Sequence, residues 1–232
     1  ILEQMKFPSI LNKYNLDLTH FPNFNVPLFY KRPFVVTIHD LIHHKLGGAK
    51  KSNFLYFASY KKIIRHAIVG AKKIITVSNA SKSDITNELK VPAEKIEVIY
   101  EGVSLEGQAT PKQAADFNAR FYIDKPYFLF VGIMQRNKNL PGLCKGFDYF
   151  LEKFKLDFDL VIVGKKDAHY PEIKNQCLAI KRSQNLVFTG ELPDDDLKAA
   201  YSGAYAFVSA SIFEGFGLPG VEAMGYGLPL AV

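Results

Sequence analysis

Several residue types and sequence features are rare or absent in this chain, and each absence excludes some classes of protein. It has two cysteines and no tryptophan in 232 residues. Cys144 and Cys177 are far apart in sequence, with no CxxC motif and no histidine at ligand spacing, so we expect free thiols in a reducing cytosol. No run of about 18 apolar residues is present, which argues against a membrane-spanning helix. No charged and then apolar segment of the secretory type opens the chain.

The charge is unevenly distributed along the chain. Residues 1–104 hold 15 lysines and arginines against 8 acidic residues, a net charge of +7, while residues 105–232 carry a net charge of −1. A basic first half is suited to anionic lipid, to a phosphate-linked acceptor or to nucleic acid. A solvated surface is the simpler interpretation of the charge alone. No aromatic and basic residues alternate on strands as they do in nucleic-acid binders, so we do not expect nucleic acid as a partner.

Strand and helix patterns alternate along the chain, which predicts parallel sheets with crossover helices. Hydrophobic residues make up 48% of the sequence, enough to bury a core. We predict a first α/β domain over residues 1–104, a linker with a short helix over residues 105–125, and a second α/β domain over residues 126–232. Strands are predicted near residues 17–20, 34–39, 73–77, 95–100, 127–132, 159–163, 186–189, 205–209 and 229–232. Helices are predicted near residues 53–70, 80–90, 113–121, 140–154, 171–181, 194–202 and 218–226.

The predicted helix at 53–70 has an apolar stripe interrupted by basic residues. Phe57, Ile64 and Ile68 recur at helical spacing, with Lys61 and Arg65 among them. Such a helix lies on a membrane surface in some proteins. Packing of its apolar stripe on a sheet is the commoner arrangement, and the sequence leaves both open.

The sequence from Glu214 to Glu222, EGFGLPGVE, places two carboxylates eight positions apart around a turn rich in glycine. A short apolar strand precedes this turn and a predicted helix follows it, so we expect Glu222 within the first helical turn. Backbone N–H groups at a helix N-terminus bind phosphate, and a carboxylate there can accept hydrogen bonds from ribose hydroxyls. The motif therefore predicts a site for a phosphorylated, hydroxyl-rich ligand.

This E-x7-E motif, followed by A-M-x-x-G-x-P, resembles the retaining glycosyltransferases of family 4 (glycosyl transferases group 1). Within that family the chain is most similar to the mannosyltransferase-like branch of O-antigen and capsule synthesis. The resemblance implies the GT-B fold, in which two Rossmann-like parallel-sheet domains face each other across a cleft, with both domains incomplete here. Further blocks in the family's order are Thr37–Leu41, Ile75–Ser78, Lys95–Ile99, Tyr127–Gly132, Lys138–Leu140, Leu160–Gly164 and Phe188–Gly190.

The resemblance also implies roles for the charged residues. Lys138, on a loop after a predicted strand, matches the lysine that contacts the donor diphosphate, and a cation there stabilises the leaving group. Arg136 lies near it but outside the family arginine's place, which is taken by Ile133 or Asn137; whether Arg136 reaches the same phosphates is left open. His39, at the end of a strand, is expected near the donor sugar.

Donor binding is assigned to the residues of the glycine-rich motif and to two strand ends. Glu214 is expected to face the transferred sugar, with Lys138, His39 and Arg136 as the other candidate catalytic residues. Glu222 is expected to bind the ribose. The remaining candidate donor-binding residues, which supply backbone N–H groups or border the nucleobase, are Phe216, Gly217, Leu218, Gly164 and the Gly190–Leu192 turn.

Two other clusters suggest a metal site, and we reject both. His43 and His44 with His39 lack a helical pattern or further ligands for zinc. Asp194, Asp195 and Asp196 mimic a metal-binding D-x-D motif. They precede a predicted helix, however, where acidic residues cap N–H groups and suit the dipole. We therefore expect no metal and no cofactor beyond a nucleotide-sugar donor, linked to GDP or UDP.

The sequence thus predicts a glycosyltransferase that moves a hexose to a cell-surface glycan. The expected donor is mannose carried by GDP, and whether the acceptor glycan is lipid-linked is left open. The expected location is the cytoplasm, with peripheral contact to the inner face of the membrane left open. Ile1 and the unfinished strand after Pro229 indicate that both ends are cut. The alternatives are an inactive GT-B module that binds a glycan or partner, supported by the missing arginine, and a GT-B phosphorylase or epimerase.

Overall fold

The computed structural model describes residues 2–45, 54–104 and 107–232, which divide into two compact α/β units. The first unit comprises Ile1–Glu101 with Glu214–Phe216, and the second comprises Gly102–Phe213 with Gly217–Val232. None of the helices in the described residues has the length and apolar character needed to cross a membrane.

Strands alternate with helices in the first unit, as the sequence predicts. The strands run parallel and are hydrogen-bonded in the order β1-β2-β3-β4. Each predicted strand of this half is present, shorter by one to three residues than predicted. The strands and helices are β1 (Thr19–Phe21), β2 (Phe34–Thr37), β3 (Ile74–Thr76), β4 (Ile96–Val98), α1 (Leu2–Lys13), α2 (Ile42–Lys45), α3 (Phe54–Gly70) and α4 (Asn79–Leu89).

The sequence does not predict α1 or α2. Helix α1 contains Pro8 in its interior, and proline normally breaks a helix because it removes a backbone donor and clashes with the preceding turn. Helix α2 is a single turn that starts after Asp40, whose carboxylate accepts a hydrogen bond from the backbone N–H of Ile42 (2.9 Å). Such a short helix has too few residues to show an apolar period.

The apolar face of α3 packs on the sheet of the first unit. Tyr60, Ile64 and Ala67 are buried in a cluster that also contains Val36 and Ile74 of the sheet. The sequence leaves open whether this stripe lies on a membrane or packs on a sheet. In the structure the apolar stripe of α3 is covered by the sheet of its own domain. Lys61, Lys62 and Arg65 of α3 are exposed to solvent.

The second unit has a parallel sheet in the order β7-β6-β5-β8-β9, with helices on both faces. The predicted strands and helices of this half are all present, with ends that agree to within three residues. They are β5 (Tyr127–Val131), β6 (Asp159–Val163), β7 (Leu186–Gly190), β8 (Ala206–Val208), β9 (Leu230–Ala231), α5 (Pro111–Phe121), α6 (Leu140–Phe154), α7 (Tyr170–Leu178), α8 (Asp194–Gly203) and α9 (Leu218–Gly225).

Alternating side chains of the central strands fill two separate cores. Leu129 and Val161 pack in the cluster that includes α5 and α8, while Phe130 and Ile162 pack in the cluster that includes α6 and α7. Successive side chains of a strand point to opposite faces, and a parallel sheet covered on both faces needs apolar residues on each. This burial on both faces explains why β5 and β6 are continuous apolar runs in the sequence.

Part of the segment predicted as a linker is a helix of the second unit. Helix α5 begins with a capping box between Thr110 and Gln113, with Pro111 in its first turn. Phe117 is buried in the core that α5 shares with α8. The described residues of the predicted linker therefore contribute to the core of the second unit.

The two cysteines are free thiols, as predicted, and they lie together between α6 and α7. Cys144 and Cys177 are buried in the same core cluster. A hydrogen bond to Cys177, together with burial, raises the pKa of the Cys144 thiol. Both groups are thus packed as small apolar side chains.

Tyr127 provides a test of the core that the sheet of the second unit shares with α5 and α8. Its hydroxyl is buried and donates a hydrogen bond to the carbonyl of Ala200 (2.8 Å), and burial raises the pKa of the phenol. We expect Tyr127→Phe to lower the free energy of unfolding by about 1 kcal/mol, because the carbonyl loses a partner. The exposed Tyr149→Phe is the matched control. Urea unfolding measures both, and equal stabilities would contradict the assignment.

Candidate donor site and family membership

Three glycines bring backbone together at the carboxyl ends of β5, β6 and β7. The N–H of Gly132 donates to the carbonyl of Val163 (3.0 Å), and the N–H of Gly164 donates to the carbonyl of Gly190 (2.9 Å). A Cβ at Gly164 would lie 1.8 Å from the carbonyl oxygen of Gly132. Only a glycine fits at this approach, and the carboxyl ends of parallel strands are where α/β folds bind ligands.

Lys138 lies over this strand end. Its Cε is 3.5 Å from the position that a Cβ of Gly132 would take. It closes a short 3₁₀ turn, and the buried Asn137 of that turn donates from its side chain to the carbonyl of Phe213 (3.3 Å). The N–H of Ile212 donates to the carbonyl of Asn137 (2.8 Å). The turn that carries Lys138 is therefore tied to the loop after β8.

Arg136, in the same turn, is engaged elsewhere. Its guanidinium forms an ion pair with Glu172 of α7, with 3.0 Å between Nη2 and Oε2. Both side chains are more than half exposed, so the pair contributes little to stability. In this arrangement the guanidinium of Arg136 is directed toward α7.

Glu222 is held by a buried tyrosine of α8. The hydroxyl of Tyr201 donates to Oε2 of Glu222 (2.7 Å) and is also 3.3 Å from the carbonyl oxygen of Pro219. The ring of Tyr201 stacks on Tyr226, with ring centroids 5.1 Å apart. Burial, followed by the hydrogen bond to Glu222, raises the pKa of Tyr201. The tyrosine therefore stays protonated and keeps its O–H directed at the carboxylate.

A cavity of about 240 Å³ in the second unit opens beside this carboxylate. Its walls combine two carboxylates, a lysine and two aromatic rings, which is a suitable lining for a ligand with hydroxyl groups and a planar ring. The lining residues are Ser104, Asp194, Leu197, Lys198, Tyr201, Glu222 and Tyr226.

The structure corrects two local predictions at the helix starts. Glu222 is the fifth residue of α9, so it lies in the second turn and not in the first, because the helix starts immediately after Gly217. At α8 the N-cap is Pro193, which makes no side-chain cap. Asp194 and Asp196 occupy the first turn, where they suit the dipole, and Asp196 pairs with Arg120. The acidic run therefore does not cap the helix through its side chains.

The Glu214–Phe216 part of the motif belongs to the first unit. The carbonyl of Gly215 accepts hydrogen bonds from the hydroxyls of Ser78 (2.5 Å) and Ser81 (3.2 Å). A Cβ at Gly215 would lie 2.9 Å from the carbonyl oxygen of His39. The structure therefore brings two of the predicted positions, His39 and the first half of the motif, into contact.

The next residues of the motif are positioned by ring contact and backbone conformation. The ring of Phe216 lies 6.2 Å from that of Tyr100, whose hydroxyl accepts a hydrogen bond from Asn79 (3.0 Å). Gly217 has a φ of 83°, which favours glycine, and Leu218 begins α9. The predicted turn between strand and helix is present.

Both ring nitrogens of His39 face oxygen atoms. Nδ1 is 2.9 Å from Oε1 of Glu101, and Nε2 is 3.1 Å from the carbonyl oxygen of Pro22. These two contacts fix the orientation of the imidazole ring. The histidine borders a cavity of about 460 Å³ in the first unit. This cavity is lined by Asn23, Phe24, Asn25, Thr37, His39, Asp40, Ser59, Tyr60 and Ile63.

Three contributors to these sites are absent from the sequence predictions. Glu101 and Tyr201 hold predicted residues from 62 and 21 positions away, and Asn137 holds the lysine-bearing turn. No local spacing signals such partners, because each contact forms only when separate elements pack. Over the part of the chain that the structure describes, no group of three histidine, cysteine or acidic residues is arranged to hold a metal ion. The side chain of His43 lies outside the described residues.

Comparison with known families identifies the chain. The model of the Glycosyl transferases group 1 family matches residues 111–232, more than half of the chain. The model named Glycosyltransferase Family 4 matches residues 2–106. The chain therefore belongs to the glycosyl transferases group 1 family, as the motifs indicate.

Two of the similar proteins have names that state an activity. The O-antigen chain mannosyltransferase B of Escherichia coli is 27% identical over 222 residues, covering 95% of this chain and 58% of the relative. The O-antigen chain mannosyltransferase RfbU of Salmonella typhimurium is 27% identical over 221 residues, covering 95% of this chain and 56% of the relative. The chain spans a little over half the length of the curated relatives it matches.

A solved structure shows the fold. HepE of Anabaena, crystallised with UDP and glucose, superposes with a TM-score of 0.77 at 17% identity, covering 99% of this chain and 63% of that chain. The predicted GT-B fold is confirmed, with its two Rossmann-like α/β units.

Gly164 provides a test of the strand-end geometry. We expect Gly164→Ala to lower the free energy of unfolding by about 3 kcal/mol, because the added methyl group meets the backbone of Gly132 and not a flexible side chain. Gly146→Ala is the control, since a Cβ there meets nothing within 4 Å and alanine favours a helix. Thermal or urea unfolding compares the two. Similar stabilities would show that the close approach is not a constraint.

Proposed function

We propose that this protein is a retaining glycosyltransferase that moves a hexose from a nucleotide sugar to a cell-surface glycan. Mannose is the proposed sugar, supported by the two mannosyltransferase relatives, and GDP is the proposed nucleotide. The observation that carries the proposal is the Glu222 carboxylate, fixed by Tyr201 beside a cavity of the second unit. A carboxylate with a fixed orientation suits the paired hydroxyls of a ribose.

Lys138 supplies the positive charge in this proposal. Cleavage of the donor leaves negative charge on the nucleoside diphosphate, and a preorganised cation stabilises that charge as it develops. The lysine lies over the glycine backbone at the end of β5, where a phosphate can approach closely. With this cation in place, the proposed reaction requires no metal ion.

Glu214 and His39 are proposed to act on the sugar. Glu214 would hold a hydroxyl of the transferred sugar or stabilise positive charge at its anomeric carbon. His39 would contact the sugar through a ring whose orientation is set by Glu101 and by the carbonyl of Pro22. The acceptor is proposed to be a glycan, with the lipid-linked form included.

One observation favours a second function, that of an inactive module that binds a glycan or a protein partner. The family arginine is absent, and Arg136 is engaged with Glu172. Such a module would bind a ligand without turning over a nucleotide sugar, so release of the nucleoside diphosphate from the sugar donor distinguishes the two functions.

Glu222→Ala tests the donor site. We expect the affinity for the nucleoside diphosphate to fall about tenfold to hundredfold, because hydrogen bonds to a charged group are lost. Isothermal titration calorimetry measures this. Glu97→Ala, which removes an exposed carboxylate of β4, should leave the affinity unchanged. An unchanged affinity in the Glu222 variant would overturn the ribose role.

Lys138→Ala tests leaving-group stabilisation. We expect kcat to fall about a hundredfold or more while the Kd of the nucleoside diphosphate changes much less, because the charge develops in the transition state. Lys145→Ala, which removes an exposed lysine of α6, is the control. Equal losses in kcat and in nucleotide affinity would instead make Lys138 a simple binding residue.

A further inference from the structure

The start of α4 carries two serines that hold other backbone segments of the first unit. Ser78 is the N-cap of α4, and its hydroxyl accepts a hydrogen bond from the backbone N–H of Ser81 (3.0 Å), as serine commonly does at this position. The same hydroxyl donates to the carbonyl of Gly215 (2.5 Å). One side chain therefore both caps the helix and joins it to the glycine-rich motif.

Ser81, in the first turn of α4, lies between two carbonyl groups. Its hydroxyl oxygen is 2.8 Å from the carbonyl oxygen of His39 and 3.2 Å from that of Gly215. A hydroxyl has one proton to donate, and such a proton can be shared between two acceptors. The side chain of Ser81 therefore sets the distance between the segment that follows β2 and the glycine-rich motif.

The two segments that Ser81 joins are in close contact. A Cβ at Gly215 would lie 3.0 Å from the Cβ of Asp40, in addition to its approach to the carbonyl of His39, so a side chain there would push the segments apart. Ser81 is only 1% exposed, and its hydroxyl is covered by the backbone that it holds. An effect of Ser81 on the reaction must therefore pass through the residues of these two segments.

We propose that Ser81 is a positioning residue for sugar transfer, which sets the separation between His39 and Glu214 in the first unit. The inference rests on the proposed function, in which both of these residues act on the transferred sugar. Ser81 holds the carbonyl of His39, and Glu214 directly precedes Gly215. A small displacement of groups aligned with a reacting centre lowers the rate by a large factor. The nucleotide is assigned to side chains of the second unit, so its affinity should not depend on Ser81.

Ser81→Ala tests this role, because alanine favours a helix and removes only the hydroxyl. The assay is the release of GDP from GDP-mannose, with the Kd of GDP measured by calorimetry. We expect kcat to fall about tenfold to hundredfold, while the Kd changes less than about twofold. Ser83→Ala, at an exposed position of the same helix, should keep both values of the parent. Ser81→Cys keeps the size of the side chain but donates weakly, so it is the second variant and should lower kcat as well.

A double-mutant cycle separates positioning from a general loss of packing. His39→Ala keeps the backbone carbonyl that Ser81 holds but removes the imidazole, so Ser81→Ala should lower kcat by a smaller factor in that background than in the parent. Equal factors in the two backgrounds would overturn the positioning role, as would an unchanged kcat or parallel losses in kcat and GDP affinity. A parent that releases no GDP would overturn the proposed function, and this role with it. Thermal unfolding of each variant checks that the fold is retained.

Discussion

The close approach of Gly164 to the carbonyl oxygen of Gly132 is the constraint on which the candidate donor site depends. Because of it, the carboxyl ends of β5, β6 and β7 lie close together, and glycine backbone without side chains forms the surface there. Lys138 can then lie across Gly132, since no side chain stands between them. A side chain at Gly164 would separate β5 from β6, and the lysine would lose the surface over which it lies.

Polar side chains from distant positions fix candidate functional groups within each unit. Asn137 ties the lysine-bearing turn to the loop after β8, and Tyr201 holds Glu222 from α8. In the first unit Glu101 orients His39 in the same way. The contacts of Asn137 and Tyr201 are partly buried hydrogen bonds, and a donor or acceptor left unpaired there would cost more than the bond itself contributes. Groups fixed in this manner need little rearrangement when a ligand binds.

Much of the fold could be predicted from the sequence, because its signals are local. The apolar runs of β5 and β6 and the glycine and proline turns mark strands and crossovers, and the motif from Glu214 to Glu222 indicates the family. What could not be predicted depends on tertiary contacts or on competing local effects. Helix α1 forms despite Pro8, and Pro193, not an aspartate, is the N-cap of α8. The role of Tyr201 is decided only when α8 packs against α9.

The measurement that tests the central claim most directly is a thermal-shift panel of GDP, UDP, ADP and their sugar conjugates on the wild-type protein. The account predicts that one nucleotide series stabilises the fold, by about 2.7 kcal/mol at 100 times its Kd, with the GDP series as the expected one. Stabilisation by UDP or ADP alone would keep the donor site and change the proposed base. A folded protein that no nucleotide stabilises would contradict the account.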